Sequence, residues 1–135
     1  MTTNTDFLKV YNATFDWIET HYGHEALDDY WKAIAPIALY DLVEKAKEAG
    51  VVGCAKYWRE TLSAEGVDFV LIVNDGKYLE IEVKDCASME RIGTPCRSYC
   101  QHCDVMYRTV LEPLGLTYEH KKTGAKSCRL RVTHV

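Results

Sequence analysis

No apolar run in this chain of 135 residues approaches the roughly 20 residues that a helix needs to span a bilayer. The opening stretch Met1-Thr2-Thr3-Asn4-Thr5-Asp6 has neither the basic segment nor the apolar segment of a secretory leader. Both absences point to the cytoplasm, where thiols stay reduced, and away from a membrane. An excess of positive charge is also missing. The net charge is −4, which argues against general nucleic-acid binding. No internal repeat or low-complexity segment interrupts the chain.

What is present is an ordinary globular composition, 47% apolar and 27% charged, at a length that suits one domain with its own core. Six cysteines in a reducing compartment mean metal binding or thiol chemistry rather than a disulfide framework. The charge is uneven. Residues 1–90 hold 8 Lys/Arg against 17 Asp/Glu, while residues 91–135 hold 8 against 3. The basic end has the charge to receive a small anion, although Lys121, Lys122, Arg129 and Arg131 read more simply as solvated residues of an exposed hairpin.

The hydrophobic pattern divides the domain into a helical front, about 5–65, and a cysteine-bearing half, about 66–135. Phe7, Tyr11, Phe15 and Ile18 recur at helical spacing and predict a helix over about Asp6–His21, ended by Gly23. A second helical run covers His24–Ala49, with Leu27, Tyr30, Trp31, Ile34, Ile37, Tyr40 and Val43 on one face. Pro36 lies inside it and predicts a kink or break, and Gly50 is a C-cap candidate. A shorter helix is expected over Cys54–Glu65.

The period then becomes two. Val67–Val73 and Tyr78–Lys84 flank Asn74-Asp75-Gly76 and predict a β-hairpin. Residues 85–98 read as a loop broken by Gly93-Thr94-Pro95, and Arg97–Leu114 as a helix ended by Gly115. A last hairpin pairs Leu116–His120 with Ser127–Val135. The expected fold is α+β, in the order ααα–ββ–α–ββ, with N-terminal helices packed on a mainly antiparallel four-stranded sheet.

Cys96, Cys100 and Cys103 are spaced four and three apart, so they share one face of that last helix or of the turn leading into it. Cys86, just past a strand end, and Cys128, on the inward face of the last strand, can converge on them. Each cysteine taken singly reads most simply as a small buried apolar side chain, and Cys54 is taken as one. The group supports more. Tetrahedral zinc suits Cys100 and Cys103 joined by Cys86 and Cys128, with His102 or His120 as substitutes. An iron–sulfur cluster on Cys96, Cys100 and Cys103 is the weaker cofactor reading. A thiolate nucleophile is a further option, with Arg97, His102 and Asp104 as local cation, base and orienter. The surplus of aromatic residues (Trp17, Tyr30, Trp31, Tyr40, Tyr57, Trp58) offers material for a flat apolar ligand pocket.

The phrase His21-Tyr22-Gly23-His24-Glu25-Ala26-Leu27, followed by Tyr30-Trp31, is similar to the front of small bacterial proteins of the L-2-amino-thiazoline-4-carboxylic acid hydrolase-like family. Glu82-Val83-Lys84-Asp85-Cys86, Cys103-Asp104 and Cys128-Arg129-Leu130-Arg131 look like that family as well. Their order also resembles 4-vinyl-reductase-type ligand-binding domains. The resemblance implies hydrolysis of a small cyclic C–N or C–S substrate beside the cysteines. The chain departs from it in Cys96, Cys100 and a short N-terminus.

The expected function is therefore a small-molecule hydrolase. Cys103, His102 and Asp104 are its catalytic candidates, and Arg91, Arg97 and Arg108 are candidates for holding a substrate carboxylate. Cys86, Cys100, Cys103 and Cys128 are its metal candidates, with zinc polarising a C=N bond or activating water. The alternatives are a non-catalytic metal- or ligand-binding module and an iron–sulfur or redox protein. Assembly as a homo-oligomer is compatible with each.

Overall fold

The structure is a computed structural model that describes residues 4–74, 76–86 and 92–134, with side chains from Phe7 onward. Its elements are α1 (Asn4–Tyr22), α2 (His24–Ala38), α3 (Tyr40–Ala64), β1 (Phe69–Asn74), β2 (Tyr78–Val83), α4 (Gln101–Leu111) with a closing 3-10 turn (Glu112–Leu114), β3 (Leu116–Lys122) and β4 (Cys128–His134). This is the α+β order that the periodicity predicts.

Pro36 is accommodated inside α2, and the break falls just beyond it, at Leu39. The single face expected through Val43 divides, because Ile37 stands across α2 from Trp31 and Ala35 and Tyr40 already belongs to the next helix. Leu27, Trp31 and Ala35 are buried, whereas Ile37 and Tyr40 are exposed. A second kink interrupts α3 at Gly50, whose φ of 59° suits glycine and strains other residues. The kink brings Gly53 onto the backbone of the first arm. A Cβ placed there would lie 1.9 Å from the Lys45 carbonyl oxygen.

The sheet has the order β1-β2-β4-β3 and every ladder is antiparallel. Alternation assigns its two faces. Leu79, Ile81, Val83, Leu116, Tyr118, Leu130 and Val132 are buried beneath the helices. Glu82, Glu119, Lys121, Arg129 and Arg131 lie exposed on the other side. On that outer face Arg129 Nε stands 3.4 Å from Glu80, and the Arg131 guanidinium lies 4.9 Å from the centre of the Tyr78 ring. α3 packs on β1, β2 and β4, while α4 packs on β3 and α2. No helix among the described residues is long and apolar enough to cross a membrane.

Residues 97–100 are not the first turn of a long helix. They form tight turns closed by three-residue hydrogen bonds, from Tyr99 N–H to Cys96 O (3.1 Å) and from Gln101 N–H to Ser98 O (3.0 Å). α4 starts only at Gln101.

Candidate functional site

Two cavities meet where α4 faces the sheet. The larger, about 260 Å³, has Tyr11, Tyr57, Trp58 and Tyr107 among its walls. The smaller, about 40 Å³, is bordered by Cys86, Cys100, Cys103 and Cys128, with Lys122 and Lys126 also on its lining. Cys86, His102, Cys103, His120 and Cys128 line both. The four cysteines proposed as metal ligands are thus brought together.

Separate local causes deliver each thiol. Cys128 opens β4 opposite Val83 on one side and Lys122 on the other, so it shares the helix-facing parity of Leu130 and Val132. Cys86 follows β2, and its N–H donates to the Lys126 carbonyl at 2.7 Å, which ties it to the end of the other hairpin. Cys100 is the last residue before α4, and Cys103 lies in the first turn of that helix. Lys122 Nζ donates to Cys100 Sγ at 3.8 Å.

Cys96 goes elsewhere. Its N–H donates to Asn12 Oδ1 at 2.7 Å, and Asn12 Nδ2 donates to the Thr94 carbonyl at 3.1 Å. Cys96 lines neither cavity, and burial, then the charges of Asp16 and Glu19 on α1, raise its thiol pKa. The shared face expected of Cys96, Cys100 and Cys103 fails because the chain turns tightly between the first two. Cys54 is fully buried in the core.

His102 is held by the Tyr99 carbonyl, which lies at its Nδ1. A carbonyl only accepts, so Nδ1 carries the proton and Nε2 keeps its lone pair. That lone pair faces Cys103 Sγ at 3.7 Å. The rings of Tyr99, Phe15 and Tyr11 stand 4.7, 5.3 and 6.1 Å from the imidazole. Burial among them lowers the His102 pKa to about 4. Burial likewise raises Cys103 to about 12, helped by Asp104 and Glu65. It raises Cys128 to about 12, helped by the neighbouring thiols Cys103, Cys86 and Cys100. At neutral pH Cys103 and His102 therefore form an uncharged thiol–imidazole pair.

Of the remaining candidates, Asp104, Arg97 and Arg108 lie outside both cavities. Asp104 and Arg108 pair with each other at 2.5 Å across one helical turn, and Arg108 also lies 3.7 Å from Glu112. Arg97 is exposed, 3.8 Å from Glu19. Arg91 lies outside the described residues. The backbone carbonyl of Tyr99, not Asp104, orients the imidazole, and nothing in the sequence signals that contact. Lys122 was legible. Extending the alternation of Leu116, Tyr118 and His120 by two residues places it on the inward face.

Among the described residues, no group of three or more His, Cys, Asp or Glu side chains is arranged to hold a metal ion. The four thiols border one cavity without forming a finished cage. No protein-family model matches the chain, and neither a curated protein nor a solved structure matches it.

Proposed function

We propose that this protein is a small-molecule hydrolase in which Cys103 is the nucleophile and His102 the base, acting on a cyclic amidine or thiazoline-type substrate. One observation carries the reading: Cys103 Sγ faces the free nitrogen of a tautomer-fixed imidazole at the wall of a ligand-sized cavity. The uncharged state of the pair sets the mechanism. Cys103 does not wait as a thiolate. His102 Nε2 takes the thiol proton as sulfur bonds to the substrate carbon, and that proton passes to the departing ring nitrogen or sulfur. Water then gives a proton to His102 and attacks the same carbon. The sulfur leaves and recovers that proton, so one water is consumed and one ring bond is broken.

The test is hydrolysis of a panel of thiazolines and cyclic amidines, with mass spectrometry of the acylated protein under single-turnover conditions. Cys103→Ser and His102→Ala are expected to fold and to lose turnover, while Cys96→Ser retains it. Undiminished turnover by Cys103→Ser rejects the reading.

The convergence of Cys86, Cys100, Cys103 and Cys128 favours a second reading, a non-catalytic module in which these thiols hold zinc after rotating about their Cα–Cβ bonds. Elemental analysis of anaerobically purified protein separates the two. Stoichiometric zinc without colour supports the module, and iron with sulfide and brown colour supports a cluster instead. Metal-free, active protein supports the hydrolase.

A further inference from the structure

Arginine was the residue type expected to hold a substrate carboxylate, yet Arg97 and Arg108 are both paired with acids. Two other cations reach the site. Lys122 and Lys126 line the small cavity, and among the described residues neither has a carboxylate within ion-pair distance. Among the described residues Lys122 donates to the thiol sulfur of Cys100, a weak acceptor that leaves ammonium donors available. At about 40 Å³ the small cavity takes a group of carboxylate size, since a space of roughly 10–15 Å³ by the same measure already holds one water.

The large cavity has the opposite character. Tyr11, Tyr57, Trp58 and Tyr107 supply ring surfaces, with Trp58 and Tyr107 centred 5.2 Å apart and Tyr57 and Trp58 5.8 Å apart. Glu65 also lines this cavity, so an anion is disfavoured there. A cavity of about 150 Å³ accommodates benzene; one of about 260 Å³ holds a single ring with a substituent.

We infer that the ligand is a flat ring compound bearing one short anionic arm, its ring in the large cavity and its anion at Lys122 and Lys126. Because the two cavities share Cys103 and His102, the atoms linking ring to anion pass the thiol. The inference rests on the pocket being a small-molecule site, and it holds for a substrate or for a ligand that is merely bound.

Calorimetric titration of the reduced full chain with three probes tests it: phenylacetate, its neutral counterpart phenylacetamide, and acetate. Phenylacetate is expected to bind about tenfold or more tightly than either of the others. Lys122→Gln/Lys126→Gln should abolish its advantage over phenylacetamide, whereas Tyr11→Ala should weaken both ring compounds alike. Equal binding of phenylacetate and phenylacetamide by the wild type overturns the inference, as does an advantage that survives loss of both lysines. The same titration on Cys103→Ser keeps the two proposals apart. Selective binding without turnover in any form of the protein rejects the hydrolase alone, and turnover of uncharged substrates without selectivity for phenylacetate rejects the ligand class alone.

Discussion

Asn12 Oδ1 accepts a hydrogen bond from the backbone N–H of Cys96 at 2.7 Å, joining α1 to the segment that enters the thiol-lined pocket. With the second bond to Thr94, this side chain pins that segment on both sides of Pro95. Asn12→Ala is expected to cost about 1–3 kcal/mol, because it leaves a half-buried N–H without its acceptor. Urea unfolding measures that cost. Amide exchange should quicken around residues 96–102 more than in the sheet.

The folded state depresses the pKa of His102 to about 4 from 6.5, so it binds the neutral imidazole in preference. The associated stability is present above about 6.5 and is lost as pH falls from there toward 4. His102→Phe should flatten that acid limb in a series of thermal melts. Glu19 acts with the same sign. Hydrogen bonds from Ser98 and His24 lower its pKa, so its contribution is complete at neutral pH and is lost in acid. Ser98→Ala should start acid unfolding at a higher pH.

Cys54, Cys103 and Cys128 titrate near 12 in the folded protein against an ordinary 9.0. Their stabilising effect holds below about 9 and is lost as pH rises toward 12. Iodoacetamide should therefore modify native Cys103 slowly at neutral pH, and faster as the solution becomes alkaline. Mass mapping of the labelled cysteines reads this directly. Rapid neutral-pH labelling of Cys103 would contradict the uncharged pair.

The Tyr118 hydroxyl is buried with no hydrogen-bond partner among the described residues. Tyr118→Phe removes an unsatisfied polar atom and keeps the ring that packs 5.4 Å from Tyr107. Thermal melts should show a neutral change, or a gain of about 1 kcal/mol.

Gly53→Ala should lose about 1–3 kcal/mol or more, since the new methyl meets the Lys45 backbone and not a movable side chain. An alanine as stable as the wild type in denaturant titration would show that the arms of α3 can separate there at no cost.

Much of the fold was legible because each element carries its own period. Leu79, Ile81 and Val83 alternate with Glu80, Glu82 and Lys84, and this fixed which side of β2 is buried. The same parity put Cys128 under the helices beside Leu130. Residues 97–100 were not legible, since a four-three spacing of cysteines looks alike in a helix and in tight turns that precede one. Nor were Arg97 and Arg108, whose charge says nothing about whether an acid already stands beside them. Asn12 and the Tyr99 carbonyl act through contacts that only the tertiary fold creates.

The walls shared by the two cavities come from the segment after β2, the first turn of α4 and both strands of the last hairpin, while α1 and α3 close the aromatic side. No contiguous fragment carries the pocket. Burial of Cys54 in the core is likewise a property of the whole cooperative unit. A thiol reagent too slow to label it in the native state would count the molecules that have come apart, which makes Cys54 a built-in gauge of how often this domain opens.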